Sequence, residues 1–244
     1  MTGKVYIVGA GPGNPELLTI KALKVIEKAD VILYDRLIGK EMVEMLKKMN
    51  KKLIYVGKEN KESGEERQNE INELMKKFVS MGKIVVRLKG GDPFIYGRGG
   101  VEAEFLARNK IPFEIIPGLT SINAVPTYAG IPLTHPNISS SIFVITGRNL
   151  EDIGKSALDG TIVILMGRDK IRMICKRLIE LGKDPDTPVA VIENGTLKDQ
   201  RVFFSNLRNI ADIVEKEVRG PALIVVGEVV KIGEKISSKI SSSL

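Results

Sequence analysis

The chain has 244 residues, 43% hydrophobic and 27% charged, with a net charge of +7 and a single cysteine, Cys175. That is enough chain for one large or two small cored domains, and too little cysteine for a disulfide framework or a cysteine-rich metal site. No apolar run reaches spanning length and the N-terminus lacks the basic-then-apolar order of a secretory signal, so the expectation is a cytoplasmic protein without a membrane segment.

The first element is a buried strand at residues 5–8, which runs into Gly9-Ala10-Gly11-Pro12-Gly13-Asn14-Pro15. A strand, a glycine loop and a helix normally cradle a pyrophosphate on helix N–H groups. Here Asn14 replaces the third glycine of G-x-G-x-x-G, and Pro12 removes an N–H that a phosphate would use. The loop therefore suits close backbone approach to a ligand that need not be an anion, which disfavours a dinucleotide oxidoreductase. Asn14 reads as the N-cap of the following helix, with Pro15 at its first position and Leu17, Ile20, Leu23 and Ile26 on its apolar face.

A second strand at 31–34 ends in Asp35 and a third at 53–56 ends in Gly57-Lys58. Asp35 has three readings: a hold on a ribose hydroxyl, a base at the mouth of a cleft, or an ion-pair partner. Ser63 with Glu66 forms a capping box for a helix whose apolar face is Ile71, Leu74, Met75, Phe78 and Val79. The strand at 84–88 opens into Lys89-Gly90-Gly91-Asp92-Pro93-Phe94-Ile95-Tyr96-Gly97-Arg98-Gly99-Gly100. Five glycines in this run permit positive φ and close approach. A turn cluster with an Asx turn at Asp92 is the plainer reading; the retained charges Lys89, Asp92 and Arg98 favour a site. No G-K-[ST] ending makes it a P-loop. A strand at 113–116 completes a β-branched series expected to be buried on both faces of a parallel sheet.

From Pro117-Gly118 to about residue 141, Pro, Gly, Ser and Thr dominate, and this reads as a linker with functional loops. The only histidine, His135, lies there and supports neither a metal site nor, without a G-x-S-x-G elbow, a hydrolase. Strands are expected at 142–146, 161–166, 189–193, 201–205 and 222–230, with helices near 169–181 and 207–217. The short polar link between 193 and 201 implies an antiparallel hairpin and a mixed second sheet. The tail after Gly233 reads as frayed. The positive balance points to an acidic ligand. With cations scattered and aromatics at 5%, nucleic acid is not expected.

Several segments together carry a resemblance: residues 8–15, Tyr34-Asp35-Arg36-Leu37, residues 90–99, Pro117-Gly118-Leu119-Thr120-Ser121, residues 128–134 and residues 221–230. In this order the chain resembles the uroporphyrinogen-III C-methyltransferases of the tetrapyrrole methyltransferase family. The resemblance implies an α/β fold of two domains, residues 1–117 with a mostly parallel sheet and 118–244 with a mixed one, with the ligand cleft between them. It implies a homodimer that transfers methyl groups from S-adenosylmethionine to C-2 and C-7 of uroporphyrinogen III, giving precorrin-2 and S-adenosylhomocysteine, with no metal. The product would serve sirohaem or cobalamin-type synthesis, without the dehydrogenase–chelatase module fused to some relatives.

By the same resemblance Asp35 is the proton acceptor and Lys58 the proton donor. The cofactor contacts are Pro12, Gly90, Gly91, Asp92, Ile95, Thr120, Ser121, Met166, Gly195 and Ala222. Arg36 and Arg98 would orient the eight substrate carboxylates. Glu59, Val101, Pro136 and Arg148 depart from the family pattern, mostly on the substrate side. The rival readings are a methyltransferase of a later precorrin or cobalt-precorrin, a diphthine-synthase-like protein methyltransferase, and a non-enzymatic tetrapyrrole or nucleotide binder.

Overall fold

A computed structural model describes residues 3–57, 64–154 and 158–239. The chain gathers into two compact units, Met1–Thr120 and Ser121–Leu244.

In the first unit β1 (Lys4–Gly9), β2 (Val31–Tyr34), β3 (Lys52–Tyr55), β4 (Ile84–Lys89) and β5 (Phe113–Ile116) form one sheet in the order β3-β2-β4-β1-β5. Every pairing is parallel, as the β-branched runs imply. Helices α1 (Ile20–Lys28) and α2 (Lys40–Lys48) cover one face, where Ile26, Met42 and Leu46 pack on Val8, Ile32, Val86 and Leu88. Helices α3 (Gly64–Ser80) and α4 (Gly99–Arg108) cover the other, where Ile71, Met75, Phe78 and Leu106 pack on Val5, Ile7, Leu33 and Val85. Each such buried aliphatic side chain contributes about 1.5–3 kcal/mol relative to leaving it in water. With helices on both faces, the C-terminal strand ends are left as the open edge for chemistry.

Four expectations change here. Asn14 caps not the helix but a single 3₁₀ turn, Pro15–Leu17, its Oδ1 accepting from Glu16 N at 2.9 Å. Leu18 is extended and breaks the run, and α1 starts after Thr19, whose Oγ1 accepts from Ala22 N at 3.1 Å. Ile20, expected on the apolar face, is 75% exposed. Strand β3 is not buried on both faces, because it is the sheet edge and Lys52 and Tyr55 face solvent. The last two glycines of the long loop already belong to α4. In the expected capping box, Ser63 lies outside the described residues, while the helix face it introduces packs as its spacing implies.

The second unit has β6 (Ile142–Thr146), β7 (Thr161–Leu165), β8 (Pro188–Glu193), β9 (Arg201–Asn206) and β10 (Ala222–Val226) in the order β6-β7-β10-β8-β9. Only β6 and β7 run parallel, and β8 and β9 form the expected hairpin. Helices α6 (Ile171–Glu180) and α7 (Ile210–Glu217) cover one face. The other is covered by α5 (Ser121–Tyr128) and α8 (Val229–Ser237).

Neither α5 nor α8 follows the sequence reading. The Pro/Gly/Thr/Ser-rich stretch contains α5, held by burial of Ala124, Val125 and Pro126 despite the internal proline. The strand expected at 222–230 stops at Val226. Gly227, at φ 138°, ends it, and the chain turns into α8, which continues through residues expected to fray. Gly233 is what seats α8: a Cβ there would lie 2.5 Å from Ile131 Cγ1.

Candidate active site

Parallel pairing brings four strand ends of the first unit side by side: Asp35 after β2, Gly90 after β4, Ala10 after β1 and Pro117 after β5. The two glycine loops then pair with each other. Ala10 N donates to Lys89 O at 2.7 Å, Gly91 N to Gly11 O at 2.7 Å and Gly11 N to Gly91 O at 3.3 Å. Those N–H groups are committed to backbone and Pro12 has none, so this part of the edge is not an anion nest. Asp92 fastens the third loop, its Oδ2 accepting from Gly118 N at 3.2 Å. Its Oδ1 accepts from Phe94 N at 2.8 Å, the expected Asx turn.

The two adjacent glycines differ in what they face. A Cβ on Gly90 would come within 2.8 Å of Leu37 O, so Gly90 lets the 3₁₀ turn Arg36–Ile38 lie against the loop. Gly91 has φ 67°, and a Cβ there would meet nothing within 4 Å. Gly91 therefore opens onto free space; in the same two loops Ile95 is exposed and Pro12 half-buried. Thr120, half-buried, ends this unit and already has a partner.

Asp35 caps that 3₁₀ turn through Oδ1, which accepts from Leu37 N at 3.2 Å. Its Oδ2 pairs with Arg87 Nη2 at 3.2 Å; the Asp35 side chain is 26% exposed and that of Arg87 only 4%. Alternation along β4 puts Val85, Arg87 and Lys89 on the α3/α4 face. Apolar packing there gives way to charge at the strand's end. Glu102 on α4, fully buried, receives Arg87 Nε at 3.0 Å, Lys89 Nζ at 2.8 Å and Gln68 Nε2 at 3.3 Å, all on Oε1. Its Oε2 has no hydrogen-bond partner among the described residues. Burial alone would raise the Glu102 carboxyl, but Arg87 and then Lys89 outweigh it and hold it below the ordinary carboxylate value. Burial and the neighbouring Arg87 push the Lys89 ammonium down, against the pull of Glu102.

Arg36 is exposed. Arg98, also exposed, sits at φ 58° before α4 and donates from Nη1 to Gly64 O at 2.7 Å, so part of its fork is already committed to the start of α3. Lys58 and Glu59 lie outside the described residues.

In the second unit, Met166, Ala222 and Gly195 come to one end of the sheet. Leu165 faces Leu223 and Glu193 faces Ala222, so Ala222 starts the strand between the ends of β7 and β8. Met166 is 39% exposed at φ 54°, a conformation that costs a non-glycine residue about 1–2 kcal/mol. Gly195 sits between Asn194 and Thr196, both at positive φ, and a Cβ there would lie within 2.6 Å of Val125 Cγ2. Its bareness thus serves α5 packing. Ser121 is the half-buried first residue of α5.

A model of the tetrapyrrole (corrin/porphyrin) methylases matches residues 4–211. The chain belongs to the tetrapyrrole methylase family. It is 49% identical over 240 residues to a uroporphyrinogen-III C-methyltransferase of Methanocaldococcus jannaschii, covering 95% of this chain and 98% of that one. It is 45% identical over 245 residues to a siroheme synthase of Saccharophagus degradans, covering 97% of this chain but only 53%, about half, of that relative's length. The crystal structure of a uroporphyrin-III C-methyl transferase from Thermus thermophilus complexed with S-adenyl homocysteine aligns with a TM-score of 0.80 at 38% identity, covering 94% of this chain and 99% of that one.

For this tetrapyrrole methylase, sequence reasoning overlooked Arg87, Glu102 and Gln68. The signal was there: Arg87 and Lys89 are charges at alternate positions of a strand read as buried, and such charges need a buried partner. Val101, noted as a departure, is 49% exposed. The structurally decisive acid is its neighbour, Glu102. Pro136 and Arg148 are exposed.

Proposed function

We propose that the protein methylates uroporphyrinogen III at C-2 and C-7, using S-adenosylmethionine and yielding precorrin-2. The observation that carries this reading is Asp35. It is a solvent-reachable carboxylate fixed by a buried arginine, on the same strand-end edge as the open Gly91 loop, in a chain similar over nearly its whole length to C-methyltransferases.

The residues fit the cofactor. An edge whose nearby N–H groups are spent on backbone suits a sulfonium cation better than a phosphate, and the free space beside Gly91 admits a ligand. For the cofactor the first unit offers Pro12, Gly91, Asp92, Ile95 and Thr120, with Gly90 through its backbone; the second offers Ser121, Met166 and Ala222, with Gly195 through its backbone. Bound S-adenosylmethionine supplies an electrophilic methyl group. Among the described residues each oxygen of Asp35 takes one donor and keeps a second lone pair, so the carboxylate can accept the proton that the macrocycle, made cationic by the methyl group, must lose from a position other than the methylated carbon. Lys58 would be the proton donor for tautomerisation of the methylated ring, each proton it gives being matched by one lost from another ring position. Arg36 and the uncommitted donors of Arg98 orient the substrate carboxylates, and holding carbon against methyl supplies much of the rate. A homodimer and a cytoplasmic setting belong to the same reading. Among the described residues, no helix is long and apolar enough to cross a membrane.

The test is an anaerobic reaction of uroporphyrinogen III with methyl-labelled S-adenosylmethionine, resolved by mass. A product two methyl groups heavier is expected. Unlabelled uroporphyrinogen III beside bound cofactor would move the substrate to a later precorrin. Sedimentation of the purified protein checks the dimer.

A further inference from the structure

Four charged side chains meet at the C-terminal end of β2 and β4: Asp35, Arg87, Lys89 and Glu102. They are not equivalent. The Asp35 side chain is 26% exposed, Arg87 4%, Lys89 3% and Glu102 0%. Only Asp35 is placed to touch a substrate. The other three lie beneath it, between the sheet and the helices α3 and α4.

Arg87 is the link. Its Nε donates to Glu102 Oε1 at 3.0 Å and its Nη2 to Asp35 Oδ2 at 3.2 Å. Its Nη1 donates to Leu88 O at 3.0 Å and lies 3.5 Å from Leu33 O, on the strand that delivers Asp35. The guanidinium thus presents three nitrogens to three different elements at once. A planar fork does this; a lysine ammonium, a point charge on a flexible stem, does not. Glu102 fixes the other side of the fork and separates Arg87 from Lys89, two like charges that burial would otherwise set against each other. Gln68 of α3 adds a neutral donor to the same oxygen, so the anchor is tied to both helices.

We infer that Arg87 is a positioning residue for the methyl-transfer reaction. It sets the orientation of the Asp35 carboxylate, and Glu102, itself out of reach of any substrate, holds Arg87 in place. Among the described residues Asp35 has one further fixed contact, from Leu37 N, so without Arg87 that cap is what holds the carboxylate. The inference rests on Asp35 being the proton acceptor.

The experiment is a double-mutant cycle, R87K, D35N and R87K/D35N, read as kcat and KM for methyl transfer from radiolabelled S-adenosylmethionine to uroporphyrinogen III. The label keeps slow rates measurable, and calorimetry gives cofactor affinity. R87K keeps the positive charge over Glu102 but loses the fork. It should lower kcat about tenfold or more, leave cofactor affinity within about twofold, and cost nothing further in the D35N background, since residues acting as a unit are non-additive. If R87K does not fold, E102Q, which preserves shape, runs the same cycle with the same expectation. D35N turning over like the wild type would sink the reading of Asp35. A slow D35N, with either a fast R87K or an R87K loss that multiplies into the D35N background, would sink the positioning role alone.

Discussion

The two units prepare their sheet ends by opposite means. In the first, all strands run parallel, so their C-terminal ends share one edge and side chains from β2 and β4 can pair: Asp35 with Arg87 at 3.2 Å, and Arg87 with Glu102 behind it. In the second, β10 and β9 run against their neighbours, so the edge mixes the ends of β6, β7 and β8 with the starts of β9 and β10. The chain must leave it sharply, and Met166, Asn194 and Thr196 take positive φ there. Glu193, the buried acid of the second edge, accepts from Arg219 N at 2.7 Å and Gly220 N at 2.5 Å on one oxygen and from the Arg201 guanidinium on the other. A parallel sheet end thus brings the side chains of neighbouring strands together, whereas a mixed one makes the chain turn sharply away from it.

The largest expected effect separates chemistry from binding. Asp35→Asn should slow methyl transfer roughly 10²- to 10⁴-fold, the usual contribution of a general base, with cofactor affinity by calorimetry nearly intact. Lost affinity with normal turnover would instead return Asp35 to a binding role and blur the contrast between the units.

Adjacent glycines sharpen it further. Gly91→Val puts a side chain into open space at φ 67°, so cofactor affinity should fall about tenfold or more, while Gly90→Ala should act on stability through Leu37. Equal cofactor affinities in the two variants would remove Gly91 from the site. In the second unit Gly195→Ala drives a methyl group into Val125 and should cost about 1–3 kcal/mol in thermal unfolding.

The buried charges predict an acid response. The folded-state value of Glu102 lies below the ordinary 4.5, so its stabilisation is fully present above pH 4.5 and is lost as pH falls through the lowered value. The melting temperature of the wild type should therefore drop more steeply below pH 4.5 than that of Glu102→Gln; parallel curves would mean the carboxylate is not held ionised. The smallest effect belongs to an exposed cluster. Arg172 pairs with Asp212 and Glu215, both at 2.6 Å, and is more than half exposed. Arg172→Ala should leave the melting temperature unchanged within error, since solvent screens such pairs.

The sequence by itself determined the α/β class, the parallel and mixed sheets, and the positions of the ten strands, because hydrophobic period and turn residues are local signals. Strand β10 was drawn four residues too long, since Val229 and Val230 look the same in a strand and in a buried helix. Its motifs also carried the family likeness, and with it Asp35 and the glycine loops as candidates. Tertiary structure decided what those motifs do. Whether a glycine faces open space or a neighbour depends on what lies against it, which separates Gly91 from Gly90 and Gly195. The helix α5 forms in a stretch rich in breakers because burial against Val163, Leu223 and Val225 outweighs propensity. Glu102 became visible as the anchor of Arg87 only when α4 was laid on β4, since a contact between residues fifteen apart in the chain is set by packing and leaves no periodic trace.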